Sequence, residues 1–367
     1  MVVLAAGACA QSEPGATPAA DGAARPASSA DGWGVERGPS LPAPVTNNAV
    51  AVAIVGGRPR IFSFLGLGPG RDYRAITTRA FALDPAAAGW EALPDVPGAV
   101  GRIAATAQAI GQRVFVFGGY EVAADGKETT SPATDIYLVA ERRYLRGAVA
   151  PVPLDDSVSG VWRDRLIYLV SGWSTDRTVS TVQAYDADAD RWMAATPIPG
   201  TPVFGHAGGL VDDTLVYCGG AKMLGAAAPK YGISADCHRG DINPADPSVV
   251  TWQAIASPPG PPRYRAAAGP VRTATLTGVM FVGGTGNPYN YNGIGYDGLP
   301  SEPEASTWIY DTVRDLWVAG PVLDTPTMDH RGLVGTADAS WVVGGMTRRQ
   351  AVSAGVTRLT LGGKGKD

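Results

Sequence analysis

A short β-branched and aromatic run that stops on a pair of glycines recurs down this chain of 367 residues. The clearest copy is Arg113-Val114-Phe115-Val116-Phe117-Gly118-Gly119. Others end at Ser171-Gly172, Gly219-Gly220, Gly283-Gly284 and Gly344-Gly345, and a degenerate one at Gly66-Leu67. The first residues of these pairs lie 52, 53, 48, 64 and 61 residues apart. A strand that closes on glycine at intervals of about 50 residues is the signature of a propeller blade.

A second repeat runs out of phase with the first. Each of the first five glycine copies is followed by an aromatic and then a proline: Trp90 with Pro94, Tyr144 with Pro151, Trp192 with Pro197, Trp252 with Pro258 and Trp317 with Pro321. A sixth pair, Trp33 with Pro39, stands before any glycine copy. The simplest closure makes the strand near Trp33 the outermost strand of the last blade, which removes the open sheet edges at the seam. The expectation is an all-β, six-bladed propeller over 33–363, with 364–367 as a short tail.

Third strands are expected at Arg79–Leu83, Thr134–Val139, Thr181–Asp186, Thr307–Asp311 and Val356–Leu361. The fourth blade offers no convincing one, because Asp241–Val250 is rich in Pro and Asp. The long insertions, 68–76, 120–133, 221–249 and 285–306, all fall between second and third strands. Strand parity puts them on one face, where function is expected.

Met1 to Cys9 is apolar and small, and Ala6-Gly7-Ala8-Cys9 has the look of a lipoprotein cleavage box. Residues 1–32 are expected to be an export-signal remnant and an Ala/Pro-rich tether, with Cys9 as the lipidation site. That implies an exported protein, periplasmic or held at the outer membrane by its lipid. The body has no apolar run of spanning length. Its net charge of −4, with no basic cluster, excludes nucleic acid as a partner. Cys218 and Cys237 form either a disulfide or two thiols, and the sequence leaves both open.

At the starts of the innermost strands stand Asn47-Asn48, Arg102, Asp155-Asp156-Ser157, His206, Arg263-Tyr264-Arg265 and His330-Arg331. In a closed ring they converge on the mouth of the central channel. Arg102, Arg263, Arg265 and Arg331 suit a carboxylate. Asn48 and Asp156 offer further substrate contacts. His206, His330 and Tyr264 are expected to move protons, with Arg265 beside them. The insertion at 287–303 brings Tyr289, Asn290, Tyr291, Asn292, Tyr296 and Glu302, stacking faces and amides that fit a sugar. No metal-ligand spacing and no phosphate loop is present, so neither metal nor cofactor is expected.

The Phe115-Val116-Phe117-Gly118-Gly119 motif, the Trp–Pro pattern and the repeat length resemble the kelch propellers. Within them the chain is similar to the bacterial periplasmic N-acetylneuraminate epimerases, which are sialic acid mutarotases. Leu65-Gly66-Leu67-Gly68, Trp90-Glu91-Ala92-Leu93-Pro94 and Phe281-Val282-Gly283-Gly284-Thr285-Gly286 carry that likeness. The resemblance implies mutarotation or epimerisation of an acidic sugar at the channel mouth. Kelch chains are also labelled after galactose oxidase, but its copper-ligand set and seventh blade have no counterpart here. Two readings stay open: an isomerase acting on a small or oligomeric carbohydrate, and a non-catalytic module that binds glycan or protein.

Overall fold

The structure is a computed structural model that describes residues 32–225 and 229–360. Six antiparallel blade sheets, five of four strands and one of five, stand around one axis. From the axis outward, the second blade runs Ile103–Ile110, Arg113–Val122, Thr134–Leu138 and Arg143–Arg146. The sixth runs Val334–Gly335, Ala339–Val343, Val356–Thr360 and then the N-terminal strand Gly34–Arg37. Gly34 pairs with Thr360 and Arg37 with Thr357, so the two ends of the chain share the last blade. The export segment, Cys9 and the C-terminal tail lie outside the described residues.

Both sequence repeats acquire a physical cause. The glycine pairs latch each blade to the next. Gly66 N–H donates to Arg102 O, Gly119 to Leu154, Gly172 to Val203, Gly220 to Arg263, Gly284 to Thr327 and Gly345 to Val45, which closes the ring. Gly118 and Gly119 both have positive φ, and a Cβ on Gly118 would run into the Leu154 carbonyl. Only glycine permits that approach. The outer aromatics tie blades on the opposite flank. Trp90 Nε1 donates to Pro39 O (2.8 Å), Tyr144 Oη to Pro94 O (3.1 Å) and Trp192 Nε1 to Ala148 O (2.9 Å). Trp252 reaches Thr196 O at 3.1 Å and Trp317 reaches Ala256 O at 2.6 Å. Each aromatic thus binds the segment that leaves the preceding blade.

The fourth blade corrects the sequence reading, because it does have a third strand, Cys237–Ile242, paired with Thr214–Cys218. Its composition is a poor strand former, and two-sided pairing in the sheet overrides that. Gly240 leaves room for the Trp252 ring, which a Cβ there would meet at 2.6 Å. Cys218 and Cys237 face each other in this register and are joined as a disulfide. Replacing both by serine should cost about 3 kcal/mol in the chain-entropy account of a loop of this size. Urea unfolding of the double variant, and of the wild type with reductant, would check it.

The insertions do elaborate one face. The second blade extends as a hairpin to Glu128–Thr130, and the fourth carries the hairpin Ala221–Met223 with Tyr231–Ile233. The face is richer than the insertions alone suggest. The third blade's middle strands run on to Ser174 and back from Arg177, and the sixth adds Met346–Thr347 against Ala351–Val352.

Candidate functional site

One residue near the start of each inner strand is in the left-handed region: Asn47, Ala104, Asp156, Gly205, Arg265 and Asp329, with φ between 51° and 68°. They form a belt. Asn47 N–H donates to Asp329 O, Asp329 to Arg265, Arg265 to Gly205, Gly205 to Asp156 and Asp156 to Ala104, at 2.8–3.1 Å. Ala104 N–H completes the circle on the Asn47 side-chain oxygen at 2.6 Å. The belt divides the axis into two chambers. Residues just before it face the elaborated side, and those just after it run down the channel.

The side chains of the belt make a buried ionic quartet. Arg265 meets Asp156 at 2.5 Å and Asp329 at 3.1 Å; Arg331 meets the same two at 2.8 and 3.4 Å. Thr46 Oγ1 donates to Asp329 at 2.7 Å, and Arg265 also donates to the Asn290 carbonyl. All four charged side chains are at most 3% exposed. Desolvation works against charge on Asp156, but the two guanidinium groups outweigh it and hold the acid below its ordinary range. Arg265 also lies over the rings of Tyr264 and Tyr289, 4.8 and 5.0 Å from their centroids.

Above the belt is a cup of about 440 Å³. Asp155, Asp156 and Arg265 make its floor. Trp173, Phe204, Tyr231 and Tyr296 form an aromatic wall, with Tyr231 and Tyr296 centroids 4.4 Å apart. Tyr120, Glu128, Thr130 and Asn290 form the opposite, hydroxyl- and carboxylate-bearing side. Tyr120 Oη donates to Asn290 Oδ1 at 3.1 Å, and Asn290 Nδ2 to Glu128 at 2.6 Å, which straps the Tyr/Asn loop to the second blade. Lys230 holds its ammonium 5.1 Å from the Tyr231 centroid and 6.0 Å from that of Trp173. Among the described residues no carboxylate lies within ion-pairing distance of Lys230.

Burial pushes the Asp155 carboxyl well above its ordinary range, and the adjacent Asp156 charge adds to the effect. Thr130 Oγ1 donates to Asp155 Oδ2 at 2.8 Å. The two neighbouring acids on the floor of the cup are thus driven in opposite directions.

The expected site residues divide. Arg265, Asp156, Asn290 and Tyr296 meet at the cup. His206, His330 and Arg331 lie below the belt, in a channel of about 420 Å³ that opens toward the other face. Burial pushes both histidines down to about 4, so at neutral pH they are uncharged. Tyr264 is fully buried, gives its hydroxyl proton to Tyr289 O at 2.8 Å, and is pushed well above its ordinary range by desolvation. Tyr289 is packed beneath the cup. Asn48 donates to Ser63 at 2.8 Å.

Arg102 and Arg263 each precede the belt residue by two, and both find their partners within their own blade. Arg102 pairs with Asp135 at 2.6 Å, and Arg263 donates to Ser306 Oγ at 2.7 Å. Asn292 O accepts from Arg71 at 2.8 Å, Tyr291 packs half-buried nearby, and Glu302 accepts from Gln350 at 3.1 Å. None of these three lines the cup.

Sequence reasoning missed Tyr120, Glu128, Thr130, Trp173, Phe204, Lys230 and Tyr231. A signal for two of them was present. Leu67, Tyr120, Trp173, Ala221, Thr285 and Met346 each follow a terminal glycine or its equivalent, and pair back to the residue that precedes the belt. Where that position is aromatic, as at Tyr120 and Trp173, the ring enters the cup.

No family model matches the chain. Kelch-like protein 15 of Gallus gallus is 32% identical over 107 residues, 29% of this chain and 22% of the relative. Kelch domain-containing protein 3 of Bos taurus is 27% identical over 180 residues, 45% of this chain and 44% of the relative. The chain thus spans less than half the length of either relative. The solved structure of YjhT superposes with a TM-score of 0.68 at 18% identity, over 88% of this chain and 96% of that one. The repeat, the six blades and these likenesses make the chain a six-bladed kelch-type β-propeller.

Proposed function

We propose that the cup binds a carbohydrate with an acidic group and interconverts its ring forms, as a mutarotase does. The observation that supports this is the aromatic wall of Trp173, Tyr231 and Tyr296 beside an ammonium that has no carboxylate partner among the described residues. An aromatic face packs on the C–H face of a sugar, while Tyr120, Thr130 and Asn290 exchange hydrogen bonds with its hydroxyls. Lys230, rather than Arg265, takes the carboxylate, because Arg265 is already engaged by Asp156 and Asp329. The disulfide suits an oxidising compartment and so supports an exported protein.

Thermal shift with N-acetylneuraminate, glucuronate and neutral hexoses tests the reading. At 100 Kd a ligand adds about 2.7 kcal/mol to stability. Trp173→Ala should abolish every shift, whereas Lys230→Met should abolish only those from acidic sugars. No shift from any sugar would overturn the proposal. A non-catalytic glycan-binding module is the second reading. The extensively paired floor favours it, since Arg265 has little freedom to follow a reacting substrate. Binding without faster anomer exchange would select it.

A further inference from the structure

We infer that Asp155 and Glu128 are the acid and the base that open and reclose the sugar ring in the cup, an inference that rests on the carbohydrate reading above. Neither residue depends on the histidines below the belt. Asp155 is 2% exposed yet lines the cup. Its backbone is fixed by two hydrogen bonds with Trp173, at 3.0 and 2.9 Å. The hydrogen bond to its side chain is the neutral hydroxyl of Thr130, and no cation pairs with it among the described residues. Both nearby guanidinium groups are taken by Asp156, one residue on. A buried carboxyl next to a fixed negative charge and without a cation of its own keeps its proton. The upward displacement of its pKa agrees with this geometry.

Glu128 is placed differently. It is exposed at the rim, lies on the same face of its strand as Thr130, and accepts from Asn290 Nδ2 at 2.6 Å. The two carboxyl groups of the cup thus sit in contrasting settings, Asp155 buried beside a fixed negative charge and Glu128 at the exposed rim.

The step balances without a co-reactant. Glu128 takes the proton of the anomeric hydroxyl, and the electron pair of the broken O–H bond becomes the carbonyl π bond. The bond from the anomeric carbon to the ring oxygen breaks, and that oxygen takes the Asp155 proton. Closure on the other face of the carbonyl returns both protons. Other titratable or charged groups around Asp155 are Asp156 and Arg265 on the floor, Tyr120 on the second blade, Lys230 and Tyr231 on the fourth-blade hairpin, and Tyr296 on the loop.

Anomer exchange measured by NMR on N-acetylneuraminate and glucuronate, with the wild type, Asp155→Asn and Glu128→Gln, decides the matter. Each variant should slow the catalysed exchange by about 100-fold or more, while sugar affinity stays within about threefold and Asp155→Asn keeps the wild-type Tm, because the amide also carries no charge. Either variant exchanging at near the wild-type rate overturns the assignment of that residue. A wild type that binds these sugars but does not speed exchange overturns the acid–base pair and leaves the binding reading standing. A wild type that binds neither sugar overturns the reading on which the pair rests.

Discussion

Arg265→Met is expected to cost about 3–5 kcal/mol of folding stability, the range for removing one partner of a buried ion pair. The Arg265 side chain is 1% exposed and bridges Asp156 and Asp329, which are themselves buried. Without it, two carboxylates face the single charge of Arg331 with side chains almost wholly removed from solvent. Equilibrium urea unfolding would measure the loss. Arg265→Met with Asp329→Asn should recover a large part of it, since one positive and one negative charge then leave together. A loss below about 1 kcal/mol would mean that Arg331 alone neutralises the pair. The prediction also bears on function: a residue committed to the frame of the fold is a poor grip for a substrate carboxylate, and Arg265 variants would lose binding through the fold as a whole.

Acid should destabilise the propeller well above the range in which carboxylates titrate. His206 and His330 are held at about 4 by desolvation, against an ordinary value of 6.5. The unfolded chain therefore binds more protons than the folded one between these values. Stability contributed by each histidine is full above about pH 6.5 and is lost as pH falls toward 4, by about 3 kcal/mol per group. His206 Nε2 is 2.9 Å from Val170 O, and since a carbonyl only accepts, this nitrogen carries the proton of the neutral ring. His206→Gln keeps an N–H for that carbonyl and removes the titration. Tm measured from pH 4.5 to 7 should fall steeply at the acid end in the wild type, and by about half as much in the variant. A wild-type profile flat across this window would mean that the channel admits water and charge to both rings.

The repeat was legible because its cause is local. A glycine is needed wherever one blade's backbone meets the next, as Gly119 meets Leu154, and an aromatic with a polar edge is needed wherever an outer strand reaches a neighbour's carbonyl, as Trp192 reaches Ala148. Among the described residues the first demand recurs six times and the second five, so both are written periodically in the chain, and fold class, blade number and the shared last blade follow from them. The elaborated face was equally accessible, since strand parity alone decides which loops lie together. The third strand of the fourth blade was not, because Cys237–Ile242 is strand by virtue of what pairs with it.

The site was legible only as a neighbourhood. Treating the polar residues near each inner-strand start as equivalent merges three positions that the belt separates. Arg102 and Arg263 stand two before the left-handed residue, Asp156 and Arg265 are that residue, and His206 and His330 follow it. One residue of shift at a left-handed turn reverses the side on which a side chain emerges, so the histidines went below and Asp155 above. The partners of the cup then come from hairpins of different blades: Glu128 from the second, Trp173 from the third, Lys230 from the fourth and Asn290 from the fifth. Sequence by itself determined the ring, its closure and its working face, because periodic backbone contacts require particular residues at fixed spacing. Which side chains meet at the axis, and which acid keeps its proton there, only the tertiary structure decided, because burial and charge at a point depend on all the blades that surround it.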